Sequence, residues 1–134
     1  MHEADSKNIE LISLSTIHIH NIVNICFAHN SQQTALLVVD RRSDLANILT
    51  HAYQNVLPDA QLIDFDTASP DTILAAFDAL KPGDLVVLIQ STNFRLEAYR
   101  LRVELFKKQL KVIEHPHLNR MSSDQIPYYV DALA

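Results

Sequence analysis

The sequence predicts a doubly wound α/β domain built on a mostly parallel sheet. Segments 35–39 and 85–89 are continuous apolar runs, which are typical of strands covered on both faces. Helical patterns separate these strands from two shorter strand-like segments, and such alternation favours right-handed crossovers onto one sheet. We therefore expect a single three-layer domain with four strands in the order 2-1-3-4.

The chain begins with a polar stretch, residues 1–10, that we expect to fray. An apolar-rich segment without strand-like alternation then predicts a first helix from Ser13 to His29. The side chains that we expect to face inward on this helix are Ile17, Ile22, Val23, Cys26 and Phe27.

Two further helix starts are marked by polar caps. Ser43 is a predicted N-cap, and apolar residues then recur at spacings of three and four from Leu45 to Val56. The run 69–71 combines a serine cap, a proline at the first helical position and an acid in the first turn. The residues expected to line this next helix inwardly are Ile73, Leu74, Phe77 and Leu80.

The remaining predicted elements continue the alternation of strands and helices. Residues 62–65 predict a short strand near a sheet edge, and residues 94–109 predict a helix whose basic outer face is solvated. Residues 111–114 predict the fourth strand, which we expect His115 and Pro116 to break. The pair Ser122 and Gln125 resembles a capping box that opens a last helix reaching Leu133.

Composition narrows the function classes. The chain has 134 residues, 48% of them hydrophobic, which fits one globular domain (Rossmann-like or flavodoxin-like). A net charge of -5 argues against a nucleic-acid partner. The start of the chain lacks a secretory signal, and no apolar run is long enough for a membrane helix. The single cysteine, Cys26, cannot form an internal disulfide, so we expect a cytoplasmic protein without a membrane partner.

The single glycine, Gly83, excludes several nucleotide-binding and catalytic motifs. Dinucleotide fingerprints, P-loops and nucleophile elbows all need more than one glycine, because backbone must approach a ligand or turn sharply. We therefore expect no cofactor and no catalytic residues of the chain's own.

The predicted strand order reverses between the first and third strands, which is where doubly wound domains bind ligands. The polar residues expected at this crevice, as a small-anion site or as an ordinary helix cap, are Asp40, Ser91, Thr92, Asn93 and Arg95. The run 37–40 followed by an amphipathic helix resembles a receiver domain of two-component signalling, but the resemblance fails at two places. A receiver has a second acid where this chain has Arg41 and Arg42, and a phospho-accepting aspartate where this chain has Gln90 or Ser91.

His115 and His117 are the nearest approach to a metal site. With Glu114 they offer too few ligands, so we expect no metal, and the proline between them more simply ends a strand.

Five segments occur in a recognisable order: 22–26, 36–40, 82–87, 91–95 and 110–113, with Pro116 and Met121 behind them. Together they resemble the N-terminal domain of the thermophilic metallo-aminopeptidase (aminopeptidase T-like) family. The resemblance implies a non-catalytic domain that precedes a separate catalytic domain, whose residues bind the metals. It implies a substrate-entrance or dimer-contact role. The sequence differs from that family at 31–34, where a proline-glycine turn is common.

Two other functions remain open. The domain could bind a small anion by itself, or it could be a protein-interaction module, as a homodimer or with a following domain. An apolar patch exposed on the first helix would favour the interaction module. The last predicted helix has no C-capping glycine, which is consistent with the N-terminal part of a longer protein.

Overall fold

The computed structural model describes residues 3–26, 33–91, 109–115, 118–122 and 124–133. Four strands form one parallel sheet in the predicted order β2-β1-β3-β4. The strands are β1 Ala35–Val39, β2 Gln61–Asp64, β3 Leu85–Ile89 and β4 Lys111–His115. The α/β three-layer fold predicted from the sequence is thereby confirmed.

The register aligns the carboxyl ends of all four strands at one edge of the sheet. Val39 of β1 pairs with Asp64 of β2 on one side and with Ile89 of β3 on the other, and Ile89 pairs in turn with His115. The chain leaves β1 towards β2 and leaves β3 towards β4, so the order reverses between β1 and β3. The residues that follow these two strands, Asp40 and Gln90, therefore start on opposite sides of the predicted crevice.

Four α-helices lie in the described part of the chain. They are α1 Glu3–Asn21, which continues into a π-helical turn Ile22–Cys26, α2 Asp44–Val56, α3 Pro70–Asp78 and α4 Ile126–Ala132. A 3-10 turn, Leu118–Arg120, follows β4. Of the helix predicted over 94–109, residues 94–108 lie outside the described residues, and Gln109 lies in a turn with a φ of 58°.

The two serine caps form as predicted. The Oγ of Ser43 accepts a hydrogen bond from the N–H of Ala46, and the Oγ of Ser69 accepts one from Thr72, both at 3.2 Å. These bonds satisfy N–H groups that the first helical turn leaves without partners. Each serine therefore fixes where the chain leaves its strand-to-helix loop.

The sheet has an apolar core on each face. The larger core joins α1, α2 and α4 to one face, with the wholly buried Tyr53 at its centre. The smaller core places Ile73 and Phe77 of α3 against the other face. Burial on both faces accounts for the continuous apolar runs of β1 and β3, as the sequence predicted.

The first helix differs most from its prediction. It begins at Glu3 rather than Ser13, so residues from Glu3 to Glu10 are helical. Ile17 is 60% exposed and does not face inward, whereas Ile19 and Val23 are wholly buried. The packing of α1 against α2 decides this face, because a residue two positions from Ile19 points to nearly the opposite side of the helix. The side chains of Cys26 and Phe27 lie outside the described residues.

Smaller differences occur in four later elements. Leu74 is 43% exposed, because Ile73 and Phe77 form the contact stripe of α3 and Leu74 lies outside it. The second strand begins at Gln61, one residue before its prediction.

The fourth strand includes His115, which was predicted to break it. The strand continues to His115 because β3 extends to Ile89, which pairs with His115. The capping box is half formed: the Oε1 of Gln125 accepts from the N–H of Ser122 at 3.0 Å, but α4 begins only at Ile126.

Candidate functional site

Asp40 holds together the two loops that border the predicted crevice. Its side chain is buried, with 1% exposed. Oδ2 accepts a hydrogen bond from the N–H of Ser91 at 2.7 Å, and Oδ1 accepts one from the N–H of Arg42 at 3.2 Å. The carboxylate thus links the end of β1 to the residue that follows β3, and its contacts are with the protein's own backbone.

Ser43 adds a second bridge across the same point. Its Oγ lies 2.8 Å from the Oγ of Ser91, while it also caps α2. Ser91 is wholly buried, and its N–H and hydroxyl are both engaged by Asp40 and Ser43. The structure therefore brings Asp40 and Ser91 together as predicted. Thr92, Asn93 and Arg95 lie outside the described residues.

An exposed ion pair links two loops at the same edge of the sheet. The Nε of Arg42 donates to Oδ2 of Asp66 at 3.0 Å, and its Nη2 contacts the other carboxylate oxygen. Hydrogen bonding and charge attraction from Asp66 raise the pKa of Arg42. The pair connects the loops after β1 and β2, and exposed pairs of this kind contribute little to stability.

A buried cluster of two tyrosines and a histidine lies at the end of β4. The Nε2 of His115 is 2.6 Å from the hydroxyl of Tyr53 on α2, and its Nδ1 is 2.7 Å from the hydroxyl of Tyr129 on α4. The Tyr53 ring meets the imidazole edge to face at 5.5 Å. The cluster therefore ties two helices to the last strand through one side chain.

Burial sets the proton affinities of this cluster. Desolvation lowers the pKa of His115 to about 4, and it raises the pKa of Tyr129 to about 12. Desolvation also raises the pKa of Tyr53. All three groups are thus neutral near pH 7, and a neutral imidazole donates through one nitrogen and accepts through the other.

Both ring nitrogens of His115 are engaged by hydroxyl groups, which leaves neither free to bind a metal in this arrangement. His117 lies outside the described residues. Within the described ranges, no three histidine, cysteine, aspartate or glutamate side chains are grouped to hold a metal ion.

Only part of this cluster could be predicted from the sequence. The spacing of α2 placed Tyr53 on its inner face, but His115 was predicted to end a strand rather than to enter the core. Their hydrogen bond spans 62 positions of the chain, so no local pattern pairs them.

No protein-family model matches this chain, and neither a curated protein nor a solved structure is detectably similar to it. Among the described residues, none of the helices combines the length and apolar character that crossing a membrane requires.

Proposed function

We propose that this chain is a non-catalytic α/β domain that contacts a second protein surface through the outer face of α1. One observation carries the proposal: Ile9, Leu14 and Ile17 are 51%, 36% and 60% exposed along a single helix. Large apolar side chains grouped on one exposed helix face are typical of interaction surfaces.

The partner that fits this face best is a second copy of the chain. Ile9 and Ile17 lie four residues on either side of Ser13, which is exposed and small. An antiparallel pair of α1 helices with Ser13 at the two-fold axis would place Ile9 of each copy against Ile17 of the other. Such a self-complementary patch is what a two-fold dimer requires.

The described half of the crevice supports the non-catalytic part of the proposal. The hydrogen-bonding groups of Asp40 and Ser91 are engaged by each other and by neighbouring residues. A general base or nucleophile must instead reach a substrate atom. The resemblance to aminopeptidase T-like N-terminal domains points to the same role, an accessory domain with a dimer-contact or substrate-entrance function beside a catalytic domain.

Sedimentation over a wide range of protein concentration tests the contact. We expect the wild-type mass to rise towards that of a dimer, and Ile17→Asp to remain monomeric, because it places a carboxylate in the apolar contact. Leu74→Asp is the matched control, since Leu74 is similarly exposed on α3. A wild-type protein that stays monomeric at every concentration, or a dimer that tolerates Ile17→Asp, overturns the proposal.

Peptidase assays test the non-catalytic role separately. Purified residues 1–134, supplied with zinc, cobalt or manganese, are expected to release no N-terminal amino acid from peptides. Metal-dependent release that follows the protein through purification would contradict this role and leave the dimer contact untouched.

A second candidate function is the binding of a small anion at the crevice, favoured by the reversal of strand order between β1 and β3. Because Ser91 is already engaged, the anion would be bound by Thr92, Asn93 and Arg95. Phosphate or a small carboxylate should then raise the melting temperature, and Arg95→Ala should abolish the rise while the exposed Lys81→Ala retains it. An equal rise in the two variants excludes this site.

A further inference from the structure

The last described helix, α4, is short. It contains seven residues, and Gln125 at its N-cap makes no side-chain capping bond. Its buried side chains are Ile126 and Val130. A helix of this length is unstable in water by itself, so its order depends on its attachment to the rest of the domain.

His115 supplies a polar attachment for α4. Tyr129 of α4 bonds one nitrogen of the ring, while Tyr53 of α2 bonds the other. The imidazole is 5% exposed and Tyr53 is wholly buried, whereas Tyr129 is only partly buried. Of the two tyrosines, Tyr129 is therefore the one that can exchange His115 for water at the smaller cost.

The neutral ring satisfies both tyrosines. The buried hydroxyl of Tyr53 can donate to Nε2, and Nδ1–H can donate to Tyr129, whose own proton can turn towards water. A protonated ring has two N–H groups and no acceptor. The hydroxyl proton of Tyr53 would then lose its acceptor inside the core, where an unsatisfied donor is costly.

No carboxylate in the described part of the chain contacts the ring to compensate a positive charge. The tyrosine hydroxyls are the titratable groups in contact with it from α2 and α4. The other titratable groups on the packed helices and the 3-10 turn are exposed: Asp44, His51, Tyr128, Asp131 and Arg120. In β4, Glu114 alternates to the opposite face, and Lys111 lies at the other end of the strand, where its Nζ donates to Gln33. Burial is accordingly the cause that lowers the pKa of His115.

We propose that His115 is an acid-operated latch: its neutral ring holds α4 on the domain, and proton uptake releases α4 while the sheet and α2 remain folded. Release of α4 exposes the Nδ1 side of the ring to water, where its partner Tyr129 is only partly buried. Release of α2 would instead expose the larger core around Tyr53, at a far greater loss of buried apolar surface.

Amide hydrogen exchange of the full chain, corrected for intrinsic exchange rates, tests the latch. We expect protection of the α4 amides to fall roughly tenfold for each pH unit between about 6.5 and about 4, as uptake of one proton on opening requires. The amides of β1 and β3 should keep their protection. His115→Gln cannot take up this proton, so its α4 protection should not change with pH, whereas His51→Gln should behave as wild type.

Two results would overturn the latch: α4 protection that is independent of pH in the wild type, or protection lost together with that of β1 and β3. If His115→Gln fails to fold, the ring resonances of His115 in the wild type decide. Protonation at the pH where α4 loses protection supports the latch, and protonation while α4 stays protected overturns it.

Discussion

The carboxyl edge of the sheet contains two buried polar centres that are built in different ways. At the junction of β1 and β3, Asp40 accepts hydrogen bonds from the backbone N–H groups of Ser91 and Arg42. At the end of β4, His115 lies between two tyrosine hydroxyls. Backbone N–H groups can only donate, which suits a carboxylate, whereas the buried hydroxyl proton of Tyr53 has an acceptor only while the imidazole is neutral. The first centre therefore links two loops, and we expect the second to respond to pH.

The largest expected effect is at the tyrosine centre. Tyr53→Ala should lower the free energy of unfolding by about 3–5 kcal/mol, because it empties a large site in the main core. Tyr53→Phe keeps the ring and removes only the hydroxyl, so it should cost about 1–3 kcal/mol by leaving a nitrogen of His115 without its partner. Urea unfolding measures both, and equal losses would mean that the hydroxyl carries the whole effect.

The pH response of the tyrosine centre comes next. Unfolded histidine binds a proton near pH 6.5, whereas His115 in the fold does so only near pH 4. Between these values the unfolded state binds more protons, so stability falls as the pH falls, by about 3 kcal/mol in all. Subtracting the urea-unfolding curve of His115→Gln isolates this contribution.

At neutral pH the stability curves of the wild type and of His115→Gln should run parallel, separated by a constant offset. A difference that stays constant from pH 7 to pH 4 would show that His115 titrates normally in the fold. If the loss of stability instead levels off above pH 4, the size of that loss gives the free energy of releasing α4.

At the carboxylate centre, Asp40→Ala should cost about 1–3 kcal/mol, because the buried N–H of Ser91 and the partly buried N–H of Arg42 lose their acceptor. Asp40→Asn keeps one acceptor oxygen and should cost less. Thermal unfolding at neutral pH checks the order of the two variants. A larger loss in Asp40→Asn than in Asp40→Ala would contradict the backbone-acceptor role.

The smallest effect concerns the serine that borders the carboxylate centre. Ser43→Ala removes both a helix cap and the contact with Ser91, and it should cost about 1–2 kcal/mol. Ser69→Ala removes a cap of the same length on α3, away from the crevice, together with an exposed contact between the Ser69 and Thr72 hydroxyls, and it should cost about 1 kcal/mol. If the two losses measured by urea unfolding are equal, the buried Ser43–Ser91 bond contributes no more to stability than this exposed contact does.

Much of this architecture could be predicted because it depends on local patterns. The continuous apolar runs of β1 and β3 predicted central strands, and Ser43 and Ser69 predicted two helix starts. The meeting of Asp40 with Ser91 also followed from the strand order, since parallel strands bring their carboxyl ends to one edge.

The sequence by itself therefore determined the layers, the strand order and the edge at which polar residues gather. Only the tertiary structure decided that Ile17 faces outward and that His115 lies between Tyr53 and Tyr129. The physical reason is the distance along the chain over which each interaction acts. Hydrophobic periodicity and capping act within a few residues of the chain, whereas the exposed face of α1 and the partners of His115 depend on which distant elements pack against them.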